Sequence, residues 1–356
     1  MTLEDLGWSP RLDAAFEAHR TAGLSPARIS HEHTHIYRVL SEQGEQLARI
    51  AGRLRHHATG RADFPAVGDW VAIDRPATGG DARIRSVLPR SSHFSRRAAG
   101  DATEEQVVAA NIDVVFLVSG LDGDFNPRRI ERYLLTAWDS GASPVIVLNK
   151  ADLVDAVDPY VNEIESLAQG VPILAVSVRR PDTMTVLRDR LGTGRTAALL
   201  GSSGVGKSSI VNALVGEAFL PTREVRASDS RGRHTSSSRQ LVLLPAGGIL
   251  IDTPGMRELQ LWDTSESMSG AFGDIDSIAE RCRFRDCRHA GEPGCAVADA
   301  VAGGELSAER LASYHKLQQE QAYQSLQQDQ RAQLEQKRRW KVLTKAANKR
   351  IKEKDR

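Results

Sequence analysis

Residues 201–209 read Gly-Ser-Ser-Gly-Val-Gly-Lys-Ser-Ser, and no other stretch limits the possible folds of this chain so strongly. Gly201, Gly206, Lys207 and Ser208 satisfy G-x-x-x-x-G-K-[ST] in full. Such a loop turns backbone N–H groups inward around an anion, which needs glycine where the chain bends tightly. It works only between a strand and a helix whose N-terminus faces the anion. The flanks agree, since 195–200 predicts a buried strand and 208–214 the start of a helix. In a loop of this kind Gly201, Ser202, Ser203, Gly204, Val205, Gly206 and Ser209 surround phosphates. Lys207 reaches the β- and γ-phosphates as the expected catalytic cation, and the Ser208 hydroxyl ligates Mg²⁺.

The loop does not distinguish adenine from guanine, but Asn149-Lys150-Ala151-Asp152 does. A carboxylate at Asp152 accepts from both guanine N1–H and the exocyclic amino group. Adenine lacks that donor pair and would leave the carboxylate unpaired. Asn149 is expected to brace the base and neighbouring loops, and Lys150 to lay its stem along the base. The preceding run 144–148 predicts a strand, which puts the motif at a strand's C-terminal end, where such sheets bind ligands. Ser177-Val178 follows another strand, 173–176, and reads as the loop whose backbone meets guanine O6. Asp252 ends the run 248–251 and is expected to hold Mg²⁺ through water. The Gly255 N–H would contact the γ-phosphate, and loss of that contact on hydrolysis would release the loop. Thr235, in a Ser/Arg/Gly-rich segment, is the expected second hydroxyl on Mg²⁺. The expected ligand is GTP with Mg²⁺.

The order of these segments is unusual. In most guanine-nucleotide switches the phosphate loop comes first and the base-reading motif late; here the base-reading half leads. A sheet can be cut at one surface connection and rejoined at another, because chain termini lie at the surface and often close together. Predicted strands at 112–118, 144–148, 172–176, 196–200, 240–244 and 248–252 alternate with helices such as 128–139 and 160–167. That pattern means a mostly parallel sheet with helices on both faces. Met256 stands just past Gly255, where signalling GTPases carry the glutamine that orients water. A thioether cannot do so, which predicts slow hydrolysis by the chain alone. His234 is the internal candidate for the missing role.

All three cysteines fall within fourteen positions, as Cys282, Cys287 and Cys295, with His289 between them. Three thiolates and an imidazole make a closed tetrahedral set for structural Zn²⁺. A disulfide reading leaves one cysteine over and needs an oxidising compartment. Beyond lies a Gln-, Leu- and Ala-rich helical stretch, then ten Lys/Arg in the last twenty residues, among them Lys337, Arg338, Arg339, Lys341, Lys345, Lys349 and Arg350. On a chain of net charge +1 that clustering is compatible with RNA phosphate contacts, with Trp340 interleaved.

Residues 29–96 have another texture: short predicted strands at 36–40, 46–50, 69–73 and 82–88, separated by turns. They indicate a small OB-type barrel. Arg53, Arg55, His56, His57, Arg61 and Arg90 would give it a basic side, and His31, His33 and His35 read as an incidental or RNA-facing set. No apolar run approaches membrane-spanning length.

Together these features resemble the circularly permuted, ribosome small-subunit-dependent GTPase A family of bacteria, over nearly the whole chain. The resemblance is carried by 65–71 (PAVGDWV), 109–113 (AANID), 126–134 (NPRRIERYL), the motif order, 232–235 (GRHT) and the Cys₃His spacing. Ser177-Val178 departs slightly, since Ser-Ala is commoner in the family, and choosing Thr235 over Ser236 rests mainly on the family pattern. The resemblance implies a multidomain α/β protein: an N-terminal extension over 1–28, an OB barrel over 29–97 and a permuted GTPase over 98–265. A zinc module over 266–304 and a helical basic tail over 305–356 complete it. It further implies a cytoplasmic, monomeric GTPase in late maturation of the small (30S) ribosomal subunit, stimulated by that subunit, binding its rRNA and released on hydrolysis. The alternative is a GTP-binding rRNA checkpoint module whose turnover is incidental.

Overall fold

The computed structural model describes residues 1–33, 36–74, 80–97, 105–216, 239–252, 272–308, 310–315 and 318–319. The chain divides into two compact units, Met1–Ala98 with Glu104–Gln260, and Ala99–Thr103 with Leu261–Arg356.

The first unit opens with α1 (Pro10–Thr21). Pro10 occupies the first helical position, where a missing N–H costs nothing, and the Ser9 hydroxyl accepts from Leu12 N. Leu12 and Phe16 of α1 are buried with Leu6, Trp70 and Leu88. The expected N-terminal extension is therefore part of the barrel's packing. The barrel consists of β1 (Ser25–His33), β2 (Ile36–Ser41), β3 (Gly44–Ile50), β4 (Trp70–Asp74) and β5 (Ala82–Val87), with α2 (Gly52–His57) after β3. β1 begins inside the segment assigned to the extension. β1 pairs antiparallel with both β2 and β4, β2 with β3, and β4 with β5, while β3 and β5 run parallel. The circuit is closed, which leaves this small sheet no free edge. Alternation sorts the side chains of β4: Val71 and Ile73 join Ile29, Val39 and Ile84 inside, while Trp70 and Ala72 face α1.

A hairpin of β6 (His93–Arg97) and β7 (Glu105–Ala110) follows, so the boundary expected at 97/98 runs through one structural element. Next come β8 (Val114–Gly120), α3 (Pro127–Asp139), β9 (Ser143–Asn149), α4 (Asp158–Leu167), β10 (Ile173–Ala175), α5 (Thr185–Arg190), β11 (Thr196–Leu200), α6 (Lys207–Val215), β12 (Gln240–Leu243) and β13 (Ile249–Asp252). The strand order is β10-β9-β8-β11-β13-β12, parallel except for β12. Val115, Leu117, Ile146 and Leu148 face Ile130 and Leu134 of α3 and Ile164 of α4. Their neighbours Val114, Phe116, Val145 and Val147 face Leu187 of α5 and Ile210 and Leu214 of α6. Near-continuous apolar strands are what a sheet buried on both faces requires.

The two halves of this unit share one sheet of eleven strands, because β12 also pairs with β1, with His31 opposite Gln240. Glu32 and Arg239 form an ion pair at 3.2 Å beside that junction. Gly68 marks the closest approach: its φ is +91°, and a Cβ there would lie 2.2 Å from the Ala110 carbonyl oxygen. Arg28 is buried and donates to the carbonyls of Gly68 at 3.1 Å, Asn111 at 3.0 Å and Leu6. Asn111 Nδ2 adds a bond to Gly68 O at 3.2 Å. Segments 65–71 and 109–113 thus form the seam between barrel and nucleotide half. One expectation about the basic barrel side is corrected here. Arg90 is not a surface cation: it holds the buried Asp69 carboxylate at 2.7 and 2.8 Å and donates to the carbonyls of Ala62 and Phe64.

The second unit contains α7 (Gly273–Ala279) and α8 (Ala296–Ala302). Phe272, Ile275, Val297, Leu306 and Tyr314 are buried. Arg310 forks onto both oxygens of Asp274, each at 3.0 Å, with its guanidinium 4.5 Å over the Phe272 ring. The basic residues from Lys337 to Arg350 lie outside the described residues.

Candidate functional site

The phosphate-loop sequence joins the end of β11 to the start of α6. The helix begins at Lys207, so the amide dipoles of its first turn point into the loop. Gly206 sits at φ +97°, and a Cβ there would fall 2.3 Å from Asn149 Nδ2. Only glycine fits both the backbone turn and that approach. Lys207 Nζ donates to the carbonyls of Gly201, at 2.7 Å, and Ser202. Ser208 follows on the first turn of α6, half-buried, as are Ser202 and Ser209 at least in part.

The residues expected to read the base, Asn149 to Asp152, meet this loop from the end of β9. Asn149 is fully buried and its Nδ2 donates to Val205 O at 2.7 Å. Lys150 adopts a left-handed backbone, φ 62°, which sends its side chain back across the phosphate loop. There its Nζ donates to Gly204 O at 2.7 Å. Lys150 also pairs with Asp122, which follows β8 at the same sheet edge. Asp122 was not anticipated; its signal was a carboxylate just past the C-terminal end of a predicted strand. Ala151 is buried, its N–H bonded to Val176 O at 3.1 Å.

Asp152 and Ser177 come together at the ends of β9 and β10. The Ser177 hydroxyl donates to Asp152 Oδ1 at 2.5 Å and accepts from Arg179 N at 3.1 Å. That hydroxyl holds the Asp152 carboxyl below its ordinary value, with a smaller contribution from Arg179. Ser177 N is bound to Thr183 Oγ1 at 2.9 Å, which sets the loop through Val178. Asp252 closes β13, one residue past the Ile251–Ala198 pair, and so reaches the phosphate-loop end of β11. Burial raises its pKa, partly offset by the Lys207 charge. His234, Thr235, Gly255 and Met256 lie outside the described residues.

In the second unit, the ligand atoms of Cys282, Cys287, His289 and Cys295 all lie within 4.8 Å of one another. His289 Nδ1 is 3.7 Å from Cys282 Sγ and 3.5 Å from Cys295 Sγ. A tetrahedron with metal–sulfur bonds of about 2.3 Å has edges near 3.8 Å, so the set fits one Zn²⁺. The surroundings of Cys295 and His289 suit metal ligation. Cys295 caps α8 and its sulfur accepts from Ala298 N at 3.3 Å, while burial lowers the His289 pKa and so favours the neutral ring, the form that binds metal.

A family model described as RsgA GTPase matches residues 87–262. The chain is 46% identical over 354 residues to the Small ribosomal subunit biogenesis GTPase RsgA of Opitutus terrae, covering 96% of each. Its fold matches the crystal structure of YjeQ from Thermotoga maritima with a TM-score of 0.62 at 28% identity, covering 84% of this chain and 99% of that one. It also matches YloQ, a circularly permuted GTPase, with a TM-score of 0.61 at 23% identity, over 84% of this chain and 95% of that one.

Proposed function

From its membership of the RsgA GTPase family, to which this chain belongs, we propose that the protein hydrolyses GTP during biogenesis of the small ribosomal subunit. The observation that carries the guanine reading is the Asn149–Val205 bond, which ties a base-reading loop to a phosphate loop, with Asp152 anionic beside it. Asp152 accepts from the guanine N1–H and amino group. Ser177 orients that carboxylate, and Ser177-Val178 offer backbone to O6. Lys207 turns from the carbonyls of Gly201 and Ser202 to the β- and γ-phosphates, and the N–H groups of 201–209 enclose them. Ser208, Thr235 and Asp252 hold the Mg²⁺ that accompanies GTP and offsets phosphate charge. Gly255 contacts the γ-phosphate, and His234 positions the attacking water.

Cys282, Cys287, His289 and Cys295 hold one structural Zn²⁺ that staples a module with little core of its own. The surface of the barrel and the basic C-terminal residues bind ribosomal RNA, and the small subunit stimulates turnover. The protein works as a cytoplasmic monomer in late subunit maturation and leaves after hydrolysis. Its functional divisions are the barrel with its α1 brace, the permuted GTPase entered through the β6–β7 hairpin, the zinc module and the basic tail.

The test is GTP turnover by the purified protein with and without purified small subunits, with ATP and large subunits as controls. Strong stimulation by small subunits alone supports the proposal. Equal turnover in all mixtures would favour an RNA-binding checkpoint role with incidental hydrolysis.

A further inference from the structure

The turn between β8 and α3, residues 121–126, belongs to none of the nucleotide motifs, yet reaches the phosphate loop. Asn126 caps α3, its side chain accepting from Arg129 N at 3.1 Å, which directs Arg129 from the first helical turn toward the sheet edge. Arg129 Nη1 donates to Asp124 Oδ1 at 2.7 Å and also to the Ser202 hydroxyl. Ser202 Oγ in turn donates to Asp124 Oδ2 at 2.8 Å. The three side chains close a ring on the second residue of the phosphate loop. Both charged members are about two-thirds shielded, at 35% and 31% exposure.

Their charges matter because of what the loop encloses. A carboxylate bonded to a phosphate-loop side chain repels a di- or triphosphate, and partial burial strengthens that repulsion relative to water. A guanidinium on the same carboxylate cancels the repulsion while leaving the hydrogen bond to Ser202 in place. Ser202 also offers its carbonyl to Lys207, so its position bears on the catalytic lysine.

We propose that Arg129 is a positioning residue for the nucleotide, fixing Ser202 and neutralising Asp124 so that the phosphate loop is preset for GTP and GDP. The inference rests on the guanine-nucleotide reading of this loop. It separates two roles that single substitutions confuse. Arg129→Met leaves Asp124 uncompensated beside the phosphates, whereas Asp124→Asn with Arg129→Met removes both charges. If Arg129 acted only as packing, the second change would not repair the first.

The experiment is binding of a fluorescent GDP by the full chain and its variants, with KM and kcat for GTP in the presence of small subunits and a thermal midpoint for each protein. Arg129→Met is expected to weaken GDP binding about tenfold and raise KM alike, with kcat within about twofold. Arg129→Lys should recover part of the loss, and the Asp124→Asn/Arg129→Met double variant most of it. Adding salt should narrow the gap between Arg129→Met and the unmodified chain. Ser202→Ala, which keeps both charges, should weaken GDP binding relative to the unmodified chain but less than Arg129→Met; if Arg129→Met does not fold, unchanged GDP binding by Ser202→Ala would overturn the inference. Unchanged GDP binding by Arg129→Met, or a double variant as weak as the single one, would overturn the inference while leaving the nucleotide reading intact. Failure of the unmodified chain to bind GDP would overturn both.

Discussion

Asn149 Nδ2 donates to the carbonyl oxygen of Val205 at 2.7 Å, across fifty-six positions of sequence. The bond joins the loop proposed to read the base, 149–152, to the loop proposed to wrap the phosphates, 201–209. It is made by a side chain wholly out of solvent, so losing it would strand a buried amide. The permuted chain visits these loops in reverse order and still brings them together, because both leave the C-terminal ends of parallel strands, β9 and β11, flanking β8. Geometry at the sheet edge depends on strand order in space and not on order along the chain.

Replacing Asp152 by asparagine should exchange base preference. In the proposed site the carboxylate would accept from two guanine donors, whereas an amide offers one acceptor and one donor, which suits xanthine. GTP affinity is expected to fall about 100-fold, two charge-assisted bonds being weakened, with XTP bound in its place. Competition between the two nucleotides for the same protein measures it. Unaltered preference for GTP would show that another residue reads the base.

Acidity should leave guanine binding alone over most of the practical range. The Ser177 hydroxyl lowers the Asp152 pKa below its ordinary 3.8, so the anion persists on acidification past that value. GDP affinity is expected to stay level from neutral pH to about pH 5 and to decline only as the carboxyl protonates below the ordinary carboxylate range. Titration calorimetry at several pH values tests this, and a decline centred near pH 6 would implicate a histidine. Ser177→Ala removes the largest cause of the shift and should move the decline upward.

Arg90 and Asp69 predict a stability effect separate from nucleotide binding. Asp69 is fully buried and Arg90 is its ion partner, as well as donor to two carbonyls. Arg90→Met leaves that carboxylate uncompensated and should cost about 3 kcal/mol in urea unfolding. GDP affinity of the remaining folded protein is expected to be unchanged. A loss under 1 kcal/mol would mean that water reaches Asp69 once the guanidinium is gone.

Gly68→Ala tests the seam between barrel and nucleotide half. The added methyl would need space 2.2 Å from the Ala110 oxygen and 2.7 Å from Ile251 Cδ1, at a backbone angle that disfavours alanine. A cost of about 2–3 kcal/mol is expected from strain alone. Because Ile251 precedes Asp252, nucleotide affinity should fall as well, which equilibrium unfolding and GDP binding on one preparation would show together.

Chelation should act on the second unit. Removing metal leaves three thiols and an imidazole clustered within 4.8 Å, with few buried apolar side chains nearby to hold them. Metal analysis is expected to find one zinc per chain, lost with a strong chelator and in Cys295→Ala. Protease susceptibility should rise between 272 and 315, with GDP binding retained. Zinc content near zero in freshly purified protein would refute the metal assignment.

Much of this organisation was legible from residue order because the signals are local. A glycine-rich turn between an apolar strand and a helix, a carboxylate at the end of 144–148, and three thiols spaced around a histidine each report chemistry within a dozen residues. The alternating strands of the nucleotide half also declared themselves, since a strand buried on both faces must be apolar throughout. The N-terminal helix escaped notice because its apolar face is narrow: only Leu12 and Phe16 are buried among charged neighbours. The β6–β7 hairpin escaped because the expected domain boundary at 97/98 falls between its two strands.

Tertiary structure alone decided which distant groups meet. Arg90 and Arg53 are equally basic in sequence, but one is an internal partner of Asp69 and the other is exposed on α2. Asp122 and Asp124 are two carboxylates in one turn, yet they serve different loops, Lys150 for one and Ser202 for the other. Nothing in 25–33 announces that β1 both closes a barrel and extends a parallel sheet through β12. Periodicity tells a side chain whether it will be buried, because burial follows from the local repeat. What it will be buried against follows from strand order and register, which are set by the competition of all strands for partners at once.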